Sequence, residues 1–176
     1  MHDTFKEPRK IIPGKLPSKS LVEMSELVLP NDTNLLGNLL GGKLMHWVDI
    51  AGAMAASRHS NRAVVTVSLD SLDFRHPIRV GEMVKLKAKL TWAGRTSMEV
   101  TVMVYAENFK TGSIILTNKA YVTFVALGDD GKPVEVPPLL PETEEEKQEY
   151  IEAELRRCER LKRRGMETGR VREMIL

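Results

Sequence analysis

The 176-residue chain is 42% hydrophobic and 28% charged, an ordinary globular balance for one domain with a tail, and its formal net charge of +2 is too small to imply a nucleic-acid partner. No run approaches the ~18 consecutive apolar residues of a membrane helix, and the N-terminal MHDTFKEPRKIIPGK has charges but not the apolar core of a secretory signal. Cys158 is the single cysteine, so an intrachain disulfide is excluded and a reducing, cytoplasmic setting is expected.

Residues 1–19 contain three prolines and several lysines and read as an irregular lead-in. A first strand is predicted over 21–29, with Val22, Met24 and Val28 in one phase, followed by the polar turn cluster at 30–34 and glycines at Gly37, Gly41 and Gly42. From about Gly42 to Arg58 the period becomes helical: Leu44, Val48, Ala51 and Ala55 recur on one face. The small residues Ala51, Gly52, Ala53, Ala55 and Ala56 predict a helix lying close against a sheet. Alternation then takes over. Val65, Val67 and Leu69 mark one strand, and Val84, Leu86, Ala88, Leu90 and Trp92 alternate with lysines in the next. Met98 to Val104 and Ile114 to Leu127 give two more, joined by short links at 93–95 and 108–112.

The sum is an α+β architecture, one long helix wrapped by an antiparallel sheet over residues 20–131. Such a sheet has open edges, which predicts dimerisation through an edge strand. Residues 132–176 form a proline-rich linker and a charged helix opened by a Thr143/Glu146 capping box. Its apolar stripe, Ile151, Leu155 and Cys158, predicts a solvated helix packed on a neighbour; a membrane-surface or nucleic-acid role is the alternative.

Asp49 stands among Met45, Gly52, Ala53 and Ala56 on its helix face. It is either a solvated carboxylate or one held in a pocket, where desolvation tunes it toward a general base. Gly41-Gly42 opens the helix, giving either a plain tight turn or free N–H groups for a developing oxyanion. Asn34 reads singly as an Asx-turn or cap. The chain contains no Gly-x-Ser-x-Gly elbow, and Cys158 has no histidine near it in sequence, so any hydrolysis is expected to use activated water. Arg58 and His59 at the helix end, Arg95, Thr96 and Ser97 at a strand start, and Lys119 would suit a phosphate-bearing ligand, although each also has an ordinary structural reading. No zinc spacing, P-loop or dinucleotide fingerprint occurs, and neither a metal nor a cofactor is expected.

The stretch NLLGNLLGGKLMHWVDIAGAMAASRH (34–59) resembles the hotdog acyl-CoA thioesterases of the YciA and brain acyl-CoA hydrolase type. So do Asp73-Phe74 with Pro77 and Gly81, RTSMEV (95–100), TNKAYVTFV (117–125) and PPLLPETEEEK (137–147). The resemblance implies the hotdog fold and cleavage of acyl-CoA to free CoA and a carboxylic acid, with CoA as part of substrate and product. It implies Asp49 and Asn34 as catalytic residues, Gly41 and Gly42 positioning the thioester, and CoA contacts from Arg58, His59, Arg95, Thr96, Ser97 and Lys119. Two chains would then share each site, one giving Asp49 and the other Asn34, with a trimer of dimers as the expected assembly. Activation of water by Asp49 and nucleophilic attack by Asp49 through an anhydride both remain open. Ile50 departs from the family, whose members commonly carry glutamate there. A hydratase using His46 with Asp49 is one rival; a hotdog ligand sensor, which would need a DNA-binding helix pair, is another.

Overall fold

The structure is a computed structural model describing residues 12–70, 72 and 76–175. The first eleven residues of the lead-in, and Asp73-Phe74, lie outside the described residues. Strand β1 (Val22–Leu27) precedes helix α1 (Gly41–Ser60); β2 (Ala63–Asp70), β3 (Met83–Ala93), β4 (Ser97–Asn108) and β5 (Ser113–Leu127) follow, and helix α2 (Glu144–Ile175) closes the order. The five strands pair antiparallel, in the spatial order β1-β3-β4-β5-β2. The strands most separated in sequence from the central hairpins, β1 and β2, therefore form the two edges. This is the antiparallel sheet expected from the alternation, in the hotdog arrangement that the resemblance implies.

Alternating positions of the central strands supply the inner face, where Leu86 lies opposite Val104 and Met98 opposite Phe124, all fully buried. Helix α1 lies on that face through Leu44, Val48, Ala51 and Ala55. The approach is close enough that a methyl group at Gly52 would lie 2.9 Å from the Phe124 ring, so any larger side chain there would force helix and sheet apart. The helix ends at Asn61, whose left-handed φ of 53° closes it with an N–H bond to the Ser57 carbonyl. In the β4–β5 turn, Asn108 Oδ1 accepts the N–H groups of Lys110 and Thr111, and Gly112 takes φ +70°.

The capping box at α2 forms as expected: Glu146 N–H donates to Thr143 Oγ1 at 3.1 Å, and Thr143 N–H to Glu146 Oε2 at 3.3 Å. The face the helix buries differs from expectation. Ile151, Leu155 and Cys158 point to solvent, while Glu149, Ala153, Arg156 and Arg160 meet the outer face of the sheet. The reason is electrostatic. Glu99 projects from the outer face of β4 and is fully buried, and Arg156 and Arg160 both bond it, at 2.7 and 3.0 Å. The lead-in is tied down as well: Lys15 exchanges backbone hydrogen bonds of 2.9 Å with Pro138 and Leu140 of the linker.

Candidate active site

Asp49 sits midway along α1, half-buried, on the side that turns from the sheet toward edge strand β2. Its Oδ1 accepts the Thr66 hydroxyl at 2.5 Å, a short charge-assisted bond that orients the carboxylate. Thr66 reaches it because β2 pairs Thr66 with Phe124, whose ring faces α1. A register shift follows directly, so that Ser68 pairs with Thr123 of the outer face. Among the described residues no side chain but Thr66 hydrogen-bonds to the Asp49 carboxylate, which leaves Oδ2 available.

Two turns upstream the helix starts without a side-chain cap. Lys43 and Leu44 both bond the Leu40 carbonyl, and the Gly41 and Gly42 N–H groups have no partner among the described residues. The space where a Gly42 side chain would stand is open within 4 Å. The loop before the helix is fixed by Asp32, whose Oδ2 accepts the Leu29 N–H and whose Oδ1 pairs with Lys43 at 3.1 Å. The Lys43 contact holds the Asp32 carboxyl below the usual range. Asn34 forms the Asx-turn: its Oδ1 accepts the Leu36 and Asn38 N–H groups at 2.9 and 3.2 Å. With the oxygen spent, the exposed Nδ2 is free to donate, and Leu35 and Leu36 beside it project into solvent. Within one chain Asn34 makes no hydrogen bond to Asp49.

The six expected CoA contacts fall in three places. Arg58 and His59 end α1, Arg95, Thr96 and Ser97 lie at the β3–β4 hairpin, and Lys119 stands on the outer sheet face over the Tyr121 ring. His59 differs from the other five in being enclosed. It is fully buried, its Nε2 hydrogen-bonds the Pro137 carbonyl at 2.8 Å, and burial lowers its pKa, so it presents no cation to a ligand. Arg58 turns its guanidinium to the Leu21 carbonyl. Thr96 and Ser97 line a cavity with Arg157 and Arg160 of α2. Among the described residues no group of three or more His, Cys, Asp or Glu could hold a metal ion, and no helix is long and apolar enough to cross a membrane.

Residues 36–112 match the Thioesterase superfamily. The chain is 46% identical over 128 residues to an uncharacterised acyl-CoA thioester hydrolase, YkhA, of Bacillus subtilis, covering 73% of this chain and 74% of that protein. The chain belongs to the hotdog acyl-CoA thioesterase family. Its fold is similar to an acyl-CoA hydrolase of Staphylococcus aureus solved with butyryl-CoA, CoA and CoA disulfide, at 38% identity, TM-score 0.82, and 93% and 99% coverage of the two chains. An apo-hexameric acyl-CoA thioesterase matches at 43% identity and TM-score 0.83, covering 86% of this chain and 97% of that one. The Staphylococcus aureus protein was also solved with an aspartate, an asparagine and a threonine singly replaced by alanine.

For a thioesterase of this family, the residue that sequence reasoning passed over is Thr66. In the run Val-Val-Thr-Val-Ser it is one hydroxyl of an ordinary alternating strand. Only the register of β2 against β5, and the seating of α1 on β5, show that it meets Asp49. A signal was nonetheless present: the unmatched carboxylate on α1 called for a donor, and the next strand offers few.

Proposed function

We propose that this thioester hydrolase cleaves acyl-CoA to free CoA and a carboxylic acid by attack of water, at sites built jointly by two copies of the chain. The observation that carries the reading is the Asp49 carboxylate, half-buried on an apolar helix and oriented by Thr66 at 2.5 Å. Thr66 fixes one carboxylate oxygen and leaves the other to take a proton from water, which favours general-base action over an anhydride. The free N–H groups of Gly41 and Gly42 polarise the thioester carbonyl and bind the oxyanion as it forms. Thiolate is a good leaving group, so no acid is required to expel CoA, and no cofactor enters.

Helix geometry supports the sharing of sites. Gly42 and Asp49 lie seven residues apart on one helix, about 10 Å along its axis at 1.5 Å per residue. One carbonyl held at the helix start is therefore far from water held by the same chain's Asp49. Pairing the Asp49–Thr66 unit of one protomer with the Gly42 N–H and Asn34 amide of its partner removes that distance. The substituted asparagine, aspartate and threonine of the Staphylococcus aureus protein are spaced 15 and 17 positions apart, and Asn34, Asp49 and Thr66 have the same spacings. By likeness to the hexameric relative, three such dimers assemble. The exposed Cys158 thiol fits the reducing cytoplasm.

Release of thiol from a panel of acyl-CoAs tests the mechanism. Asp49→Ala should lower kcat by about 10²–10⁴, and Thr66→Val by a smaller factor with folding intact. Asn34→Ala should be similarly impaired. Mixing the Asp49→Ala and Asn34→Ala proteins with subunit exchange should restore about a quarter of wild-type activity, because half the dimers are mixed and each has one intact site. Full activity in Asp49→Ala would defeat the mechanism, and no recovery on mixing would defeat the shared site.

A further inference from the structure

Between α2 and the outer face of the sheet lies a cavity of about 230 Å³, on the side of the sheet opposite Asp49. Its lining includes Arg157 and Arg160, four hydroxyl residues and Trp92, and no acidic side chain among the described residues. Trp92 and Thr123 are 6% and 8% exposed, yet Trp92 Nε1 and Thr123 Oγ1 have no hydrogen-bond partner among the described residues, and Ser68 Oγ beside them has none either. A buried polar group without a partner is costly, so a cluster of them around one cavity signals a guest that completes their bonding.

The charges show what kind of guest. Arg156 bonds Glu99, and Arg160 bonds Glu99 and Asp70, so these two guanidinium groups are neutralised in place. Arg157 has no carboxylate partner among the described residues and stands 5.2 Å from the centre of the Trp92 ring. The cavity thus has one unspent guanidinium, an indole N–H that can only donate, and hydroxyls that can donate to a strong acceptor. Arg157 is exposed and solvated, so what the enclosed indole N–H and hydroxyls lack is an acceptor, which an anion held against Arg157 would supply.

We propose that this cavity is a phosphate-binding site, with Arg157 as its recognising group and Trp92, Thr123 and Ser68 as further donors. The phosphate belongs either to the nucleotide end of the CoA thioester, in which case the inference rests on the activity proposed above, or to a separate phosphate compound. The bulge of β2 lies beside the site in both cases. It turns Thr66 toward Asp49 and Ser68 toward the cavity, so one distorted stretch of strand serves both.

The test uses inorganic pyrophosphate as probe, with binding followed by calorimetry and by tryptophan fluorescence. Wild type should bind it saturably, Arg157→Ala at least about tenfold more weakly, and Arg157→Lys in between. Thr123→Val, which removes a donor without changing charge, should weaken binding by a smaller factor. Pyrophosphate that raises the KM for acyl-CoA at unchanged kcat, but leaves hydrolysis of the corresponding acyl-pantetheine untouched, assigns the phosphate to the substrate. Pyrophosphate that binds without displacing acyl-CoA assigns it to a separate ligand. Absence of binding to wild type, or equal binding to Arg157→Ala, overturns the site. If neither thioester is hydrolysed by wild type while pyrophosphate still binds, the proposed activity fails and the site stands.

Discussion

His59 is held in the core by one hydrogen bond to the Pro137 carbonyl, and its Nδ1 has no partner among the described residues. Burial lowers its pKa, so the folded protein keeps it neutral where the unfolded chain would begin to protonate it. A group with a depressed folded pKa contributes stability that is present above the unfolded value, about 6.5, and is lost as pH falls through the folded one. Stability should therefore decline on acidification from neutral pH, by up to about 1.4 kcal/mol per pH unit from this residue. Urea titrations at neutral and mildly acidic pH should show that slope in wild type and a shallower one in His59→Gln. Sequence could not place this residue: next to Arg58 at a helix end it reads as surface, and only the linker folding back over α1 buries it. Asp49 was legible for the opposite reason, since a lone acid on an alanine-rich helix stands out wherever the helix packs.

Local periodicity located the elements well, because α1 and β3–β5 each bury one face continuously and therefore carry the period of their backbone. It located α2 but misjudged its contact face. The apolar stripe of Ile151, Leu155 and Cys158 is exposed, whereas this helix docks through arginines whose partner, Glu99, lies more than fifty residues earlier. Arg156 also stacks 3.6 Å from the centre of the Tyr121 ring, so its charge and its plane are both used. Removing one member of such a buried network strands the others. Glu99→Ala should destabilise the fold by about 3–5 kcal/mol, and hydrogen exchange should speed first in the amides of α2. Slow exchange across α2 in that variant would show that Glu99 does not anchor the helix.

The two edges of the sheet differ in character. β1 is short and carries Glu23 and Glu26, with Glu23 paired to Lys87 across the strands at 2.9 Å, features that discourage another strand. β2 instead exposes Val65, Val67 and Leu69, and the α1 side chains Met45, Ile50 and Met54 are exposed as well. An apolar edge and an apolar helix surface on one molecule favour β2 as the edge that meets a second copy. Val65→Lys should shift the protein to smaller species in sedimentation and abolish thiol release in parallel. Retained assembly in that variant would place the interface elsewhere.

The free amide of Asn34 and the carboxylate of Asp49 do not touch within one chain, and a site shared between two chains would tie activity to abundance. If each site is completed only by association, specific activity becomes a function of chain concentration and follows mass action. Dilution would silence the enzyme without unfolding it, and a thioester bridging two chains would hold them together. Turnover would then persist in dilute enzyme as long as substrate is plentiful, and fall away by dissociation once it is spent.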